Sequence, residues 1–275
     1  MNDEAIRRLP VLRFDEGGAR SDEDDVAREE PLEIRVGGVP LAVVMRTPGA
    51  DLDLVTGFLL TEGIVASPAE IERVRHCNEL ADPEAEDNVV LVTLAAGRRL
   101  DLERFRRNLF ASSSCGVCGK ATLDNALAVA PPLEDETRFR APVVYEMPGR
   151  LRAEQRVFDA TGGLHGAGLF TTDGTLVAVR EDVGRHNAVD KLLGDAARRG
   201  DFPLGGYGLI VSGRVSFEIV QKALAARIPL VAAVSAPSSL AADLACRSGM
   251  SLVGFLRGRR MNVYGRSERV VGSGA

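Results

Sequence analysis

The sequence predicts an α/β protein whose larger sheet lies in the C-terminal half of the chain. From residue 206 onward, short apolar runs alternate with helical patterns, as happens when helices cover the faces of a sheet. The chain has 275 residues, of which 45% are hydrophobic, enough for one large core or two modest ones. Earlier in the chain, hairpin and helix patterns indicate a smaller α+β portion.

The composition divides the chain into three segments and excludes several classes of protein. We expect a mobile acidic arm at 1–30, a smaller α+β portion at 31–140 and an α/β domain that binds a cofactor at 141–275. A formal net charge of -5 argues against a general nucleic-acid binder. No apolar run approaches membrane length, residues 1–10 lack the apolar core expected of a signal peptide, and four cysteines are too few for a disulfide scaffold. We therefore expect a cytoplasmic protein.

The elements of the smaller portion follow from turn and capping residues. Gly37 and Gly38 separate two alternating runs, which predicts a hairpin. Ser67 and Glu70 have the spacing of a capping box with Pro68 between them, which predicts that a helix starts there. The predicted elements are, in order, a hairpin over 31–48, a helix over 50–65, a helix from 67, a strand over 88–94, and helices over 101–110 and 121–129.

The second half begins after a proline-rich, charged joint at 130–142. Asp173 and Gly174 mark a hairpin turn, and Gly200 ends a helix. The predicted elements are a hairpin over 167–182, helices over 187–200, 216–229 and 238–249, and strands over 206–213, 230–237 and 251–258. Loops that leave strand ends form the binding crevice of such sheets, so we expect the ligand at the loops 212–218, 235–240 and 257–260.

Two cysteines, Cys115 and Cys118, lie three apart among small residues. Zinc needs four ligands, and no His-x-Glu accompanies the pair as in zinc deaminases, so no metal site is predicted. Gly116 and Gly119 offer nothing for buried thiols to pack against. A dithiol redox pair and a persulfide-carrying loop remain open. The glycines favour a mobile carrier loop, in which Lys120 would help hold the thiolate.

A polar cluster follows a glycine-rich stretch in the second half. His165 lies among glycines, where the backbone can approach a ligand closely. Arg185 lies beside a glycine-rich turn, and His186 and Asn187 lie at the start of a predicted helix, a favourable place to meet an anionic group. We expect His165, Arg185 and His186 to bind the ligand. The alternative is that the cluster only caps the helix and that its other charged side chains face solvent. For Asp190 and Lys191 we expect this alternative.

Arginines follow two of the predicted strands. Arg214 comes directly after the strand that ends at Gly213, and it is expected to project into the crevice. No phosphate-binding P-loop motif occurs in the chain. Arginines can still bind phosphates through bidentate hydrogen bonds. We expect this role for four residues: Arg214, Arg257, Arg259 and Arg260. The competing interpretation is that they are ordinary surface arginines.

Taken together, these motifs resemble the formate dehydrogenase accessory sulfurtransferases of the FdhD type. The resemblance runs from about residue 31 to residue 270. It rests on the order and spacing of six segments: 112–120, 161–170, 180–194, 211–223, 235–245 and 252–265. It implies a fold similar to cytidine deaminase, with a three-layer sheet domain, in a protein that forms homodimers. The missing His-x-Glu fits such a sheet without zinc chemistry.

The resemblance also implies a function. A cysteine desulfurase would pass a persulfide to Cys115, with Cys118 assisting. The sulfur would then go to the molybdenum bis(molybdopterin guanine dinucleotide) cofactor, bound as a substrate, before its insertion into formate dehydrogenase. The implied cofactor-binding segment comprises Phe255, Leu256, Arg257, Gly258, Arg259 and Arg260. The rival functions are a dithiol-disulfide oxidoreductase and a non-catalytic cofactor chaperone. No nucleic acid, membrane or structural metal is expected.

Overall fold

The computed structural model describes residues 3–77, 87–97, 123, 126, 127 and 130–272. Helices and strands are numbered within these residues. The strands are β1 (Ile6–Asp15), β2 (Gly18–Ala27), β3 (Glu30–Val36), β4 (Val39–Arg46), β5 (Ile71–His76), β6 (Val89–Leu94), β7 (Phe139–Arg140), β8 (His165–Phe170), β9 (Leu176–Asp182), β10 (Gly208–Val211), β11 (Leu230–Ala233), β12 (Ser251–Arg257), β13 (Arg260–Gly265) and β14 (Val270–Val271). The helices are α1 (Asp51–Thr61), α2 (Ala141–Glu154), α3 (Arg156–Thr161), α4 (Arg185–Arg199), α5 (Phe217–Ala225) and α6 (Ser239–Ser248).

The larger sheet has six strands in the order β13-β12-β11-β10-β8-β9. The central strands β10, β11 and β12 are parallel, and β8, β9 and β13 add antiparallel strands at the two edges. The central strands read as continuous apolar runs because both faces of the sheet are covered. The hairpin predicted over 167–182 and the three strands predicted after it are confirmed.

Helices cover both faces of this sheet and make three layers. On one face, Leu209 and Val211 of β10 pack in a core with α4, α5 and α6. On the other face, Ile210 packs with Val144 and Met147 of α2. The alternation along β10 is the two-residue period of a strand. The α/β fold class predicted from the sequence is therefore confirmed.

A smaller sheet, with the order β4-β3-β6-β5, lies on the opposite side of α1 from α4. Leu32 and Val90 of this sheet share a core with Leu54 and Leu59 of α1. The hairpin over 31–48, the helix over 50–65 and the strand over 88–94 are confirmed. Helix α1 thus joins the smaller sheet to the helical layer of the larger one.

Helices α1 and α4 approach each other closely through two glycines. A Cβ on Gly57 would lie 1.9 Å from the Asp190 carbonyl oxygen, and one on Gly194 would lie 1.8 Å from the Asp53 carbonyl oxygen. Real Cβ atoms do not come this close to backbone oxygens. Only glycine therefore permits this crossing.

Two predicted segments differ from the structure, and some observed elements were not predicted. The first 30 residues hold an antiparallel hairpin of β1 and β2 where an acidic arm was expected, with cross-strand pairs such as Arg8–Asp25, 2.8 Å apart. The helix predicted from Ser67 was wrong: a single turn over Pro68–Glu70 leads into β5, which pairs with β6. Helices α2 and α3 were not predicted. The helix predicted over 101–110 lies outside the described residues, as do most residues of the one predicted over 121–129.

No helix among the described residues is both long and apolar enough to span a membrane.

Candidate functional site

The candidate site lies at the edge of the larger sheet where the parallel strands β10, β11 and β12 end. Strand β8 runs antiparallel to β10 and begins at this edge, so His165 lies beside the turn that follows β10. Helices α4 and α5 also begin here, since His186 in the first turn of α4 contacts Ser216, the N-cap of α5. The topology thus brings the segments that were predicted to bind the ligand together at this edge of the sheet.

His165 lies opposite Asp182 on the neighbouring strand β9 and against the backbone of the turn after β10. A Cβ on Gly213 would lie only 3.2 Å from His165 Nδ1, so the imidazole packs closely on this glycine. Burial lowers the pKa of His165 from 6.5, the positive charges of Arg185 and His186 lower it further, and Asp182 opposes them. His165 is therefore neutral at neutral pH and can both donate and accept hydrogen bonds.

His186 forms a polar cluster with two residues at the start of α5. Its Nε2 atom lies 2.9 Å from Glu218 Oε2 and 3.1 Å from Ser216 Oγ. The hydrogen bond with His186 is the main cause that lowers the pKa of Glu218, against the opposing effect of burial. Glu218 is thus held as a carboxylate, and this carboxylate is a fixed hydrogen-bond acceptor for the His186 ring.

The buried carboxylate of Asp182 fixes the turn that carries Arg185 and His186. It accepts hydrogen bonds from the backbone N–H groups of Thr47 and Gly184, at 3.1 and 2.8 Å, and from Asn187 Nδ2 at 3.1 Å. Lys191 Nζ lies 2.8 Å from it. The expectation that Lys191 faces solvent was wrong, because this lysine is 2% exposed and pairs with Asp182.

Asp190 was also expected to face solvent, and this was wrong too. Its carboxylate is 2% exposed and lies 2.8 Å from Lys222 Nζ on α5. Thr61 Oγ1 donates to Asp190 at 2.7 Å, and Glu62 Oε1 lies 3.1 Å from the same ammonium group. The cluster ties α1, α4 and α5 together and belongs to the helical layer.

A broad cavity of about 990 Å³, here called the arginine cavity, opens where β12 turns into β13. Its lining residues are Tyr145, Phe255, Arg257, Gly258, Arg259, Arg260, Met261 and Asn262. Phe255 has a φ of 53°, a backbone conformation that residues other than glycine rarely adopt. This residue is 42% exposed. The register shift between Gly254 and Arg257 turns this ring outward. Leu256 points the other way and is fully buried in the core.

A second cavity of about 560 Å³, here called the Gln155 cavity, lies between α2, α3 and the start of β8. Its lining residues are Pro148, Leu151, Arg152, Gln155, Phe158, Gly162, Gly163, Leu164, His165, Ser212 and Val234. The two cavities are neighbours, because Arg257 of the arginine cavity donates from Nε to the carbonyl oxygen of Val234 at 3.3 Å.

The structure places the predicted site residues in two groups. His165, Arg185 and His186 come together at the start of β8 and α4. Arg214 is exposed on the turn after β10, and the segment 255–260 lies at the neighbouring strand end, with Phe255 and the three arginines on the surface. Cys115 and Cys118 lie outside the described residues. Gln155 and Phe158 were missed, because no motif marks the α2–α3 segment.

Comparisons with known proteins agree with one another. The FdhD/NarQ family profile matches residues 27–271. "Sulfur carrier protein FdhD" of Streptomyces coelicolor is 51% identical over 267 residues, covering 96% of this chain and 95% of that protein. The protein of the same name from Mycobacterium tuberculosis is 50% identical over 272 residues, covering 97% and 98%.

One solved structure supports the fold. The crystal structure of a protein described as a formate dehydrogenase accessory protein, from Desulfotalea psychrophila, matches with a TM-score of 0.76. The match covers 97% of this chain and 100% of that one at 24% sequence identity, so it bears on the fold alone.

Proposed function

Since this chain belongs to the FdhD/NarQ family, we propose that it is a sulfur carrier protein that serves formate dehydrogenase. The observation that carries the proposal is the identity of about half of all residues, over nearly the whole chain, with relatives named sulfur carrier proteins. The pair Cys115 and Cys118, with its glycine neighbours, provides the thiols that this function needs.

Sulfur is loaded by exchange between thiols. The Cys115 thiolate attacks the outer sulfur of a persulfide on a cysteine desulfurase. A new S–S bond forms at Cys115, the S–S bond in the donor breaks, and the desulfurase cysteine leaves as a thiolate. One sulfur atom moves at the oxidation level of the donor, so no further oxidant or reductant is consumed. Cys118 assists the later release of the sulfur. The protein acts in this sense as a cytoplasmic sulfurtransferase.

The sulfur acceptor is the molybdenum bis(molybdopterin guanine dinucleotide) cofactor, bound as a substrate at the sheet edge. Arg257, Arg259 and Arg260 in the arginine cavity, with Arg214 on the neighbouring turn, supply the charge that the phosphates of a dinucleotide need. The exposed ring of Phe255 offers a face for a heterocycle. A homodimer would present two such sites to a cofactor with two nucleotide arms.

The test is intact-protein mass spectrometry after incubation with a cysteine desulfurase and cysteine. We expect the wild type to gain the mass of one sulfur atom and Cys115→Ala to gain none. Cys246→Ala is the matched control, because Cys246 is an exposed thiol elsewhere, on α6, and its loss should leave the adduct intact.

Two results would overturn the proposal in different ways. Loss of two hydrogens under mild oxidant, with no sulfur adduct, would favour a dithiol-disulfide oxidoreductase. Full maturation of formate dehydrogenase by Cys115→Ala would favour a non-catalytic cofactor chaperone.

A further inference from the structure

The hairpin of β1 and β2 extends beyond the part of the molecule that supports it. Its base is partly covered, because β2 contacts α3 and a Cβ on Gly163 would lie 3.3 Å from Ala27 Cβ. Every residue from 12 to 24, here called the hairpin tip, is exposed. A two-stranded hairpin without a packed face is only marginally stable in water. The regular pairing of the tip therefore requires a packing surface that the described residues of the same chain do not supply.

One face of the hairpin tip is apolar. Leu12 and Phe14 lie two residues apart on β1, so their side chains project from the same face. They are 54% and 77% exposed, and their partners on β2 are the small residues Ser21 and Ala19. The tip as a whole is acidic, because five of its residues are acidic and two are arginines. The tip thus combines an apolar patch with a negative charge.

The smaller sheet has an apolar strip on the face that points away from α1, here called the outer face. Its inner face packs on α1 through alternate residues of β3, including Leu32 and Ile34. Glu33 lies between them and points the other way, opposite Val43 of the edge strand β4. Val43 and Met45 are 65% and 49% exposed on this outer face. They are a pair of large apolar side chains two residues apart, as in the hairpin tip.

Arginines lie beside this strip on the outer face. The pairing of β3, β6 and β5 places Arg35, Leu91 and Arg75 in one row across the sheet, with Arg73 on the same face of β5. The Glu33 carboxylate lies 2.9 Å from the Arg35 guanidinium and neutralises that one arginine. These described residues of the outer face together carry a positive charge. The outer face therefore complements the hairpin tip both in apolar surface and in charge.

We propose that the hairpin tip of one copy of this chain packs on the outer face of a second copy, in a reciprocal exchange that closes a dimer. Leu12 and Phe14 cover the apolar strip, and the acidic residues of the tip lie beside the arginines. Because each copy has one tip and one outer face, a two-fold axis pairs both tips with both faces and leaves neither open. The inference rests on the homodimer of the proposed function and assigns its contact surface.

Native mass spectrometry of the full chain over a dilution series tests the exchange, because it separates monomers, homodimers and mixed dimers by mass. We expect a dimeric wild type. The tip variant Leu12→Ser/Phe14→Ser loses apolar contact, and the face variant Val43→Asp also brings a like charge to the acidic tip. Each should raise the dissociation constant of its homodimer at least about tenfold. Val177→Ser is the matched control, since Val177 is an exposed valine on β9 of the larger sheet and its loss should leave the dimer intact.

An equimolar mixture of the two variants distinguishes tip-to-face contact from other arrangements. The mixed dimer retains one intact tip on one intact face, so it should form more readily than either variant homodimer. Weakening by the tip variant alone would overturn the inference, because the tips would then pair with each other.

A wild-type dimer that neither variant weakens would also overturn the inference, as would a monomeric wild type. Loss of formate dehydrogenase maturation by the tip variant of a monomeric protein would assign the tip to a different partner. The sulfur adduct on Cys115 should persist in every variant, so a failed dimer contact is distinguishable from a failed sulfur carrier.

Discussion

At the scale of single residues, the protonation state of His165 depends on charges brought in by another element. Burial lowers its pKa first, and Arg185 and His186 at the start of α4 lower it further. The pKa in the folded protein is thus below 6.5, the value of a free histidine. The neutral form contributes stability that is fully present above about pH 6.5 and is lost as the pH falls towards the folded pKa.

Replacing Arg185 should therefore raise the pKa of His165. Arg185→Gln removes the larger of the two repelling charges while burial stays the same. NMR titration of the imidazole resonances measures this directly, because the chain has only three histidines. His76→Gln identifies one of the other resonances and should leave the titration of His165 unchanged. An unchanged or lower pKa in Arg185→Gln would show that the guanidinium does not act on the imidazole.

Some site residues were predictable and others were not. His165 stood out because it lies among glycines, and Arg185 and His186 stood out because they lie beside a glycine at the start of a predicted helix. Gln155 could not be found this way, since its burial arises from the turn between two helices that carry no motif. Asp190 and Lys191 were misjudged because Lys222 and Asp182, their partners, become visible only when elements pack.

At the scale of elements, the sequence patterns located the strands β8 to β12 of the larger sheet and the helices α1, α4, α5 and α6, but not the edge strand β13. The pattern failed at Ser67, where a capping box competes with the β-branched residues Ile71 and Val74. Pairing of β5 with β6 outweighs the local preference for a helix. Helix α2 was missed because Pro148 lies inside it, and proline normally ends a helix.

The crossing of α1 and α4 yields a prediction about stability. In Gly57→Ala, the new methyl would overlap the Asp190 carbonyl oxygen, so the helices must move apart. We expect a loss of about 1–3 kcal/mol in the free energy of unfolding, as for other overpacked interiors. Urea denaturation followed by circular dichroism measures it.

Gly149→Ala is the control for this experiment. Gly149 lies inside α2, and a Cβ there would meet nothing within 4 Å. Alanine should be neutral there or stabilise the protein by up to about 1 kcal/mol, because glycine is a poor helix former. Equal effects of the two substitutions would show that helix propensity, and not the close approach of α1 and α4, governs Gly57.

At the scale of the whole molecule, the two sheets share one helical layer. Helix α1 packs on the smaller sheet through Leu54 and Leu59 and on α4 through Gly57. The cluster around Asp190 and Lys222 adds a charged contact among α1, α4 and α5. The division at residue 140 that the sequence suggested separates two sheets, yet the packing connects them. We therefore expect both sheets to unfold in a single transition.

Lys222→Met tests this coupling. The substitution leaves Asp190 buried without its cation, which in other proteins costs about 3–5 kcal/mol. Hydrogen exchange followed by mass spectrometry should show that peptides of β3 and β6 in the smaller sheet lose protection together with peptides of β10 and β11. The double variant Asp190→Leu/Lys222→Met removes both charges and should recover part of the loss, since an apolar pair can replace a buried ion pair. Loss of protection confined to the larger sheet would mean that the sheets unfold independently and that α1 follows the smaller one.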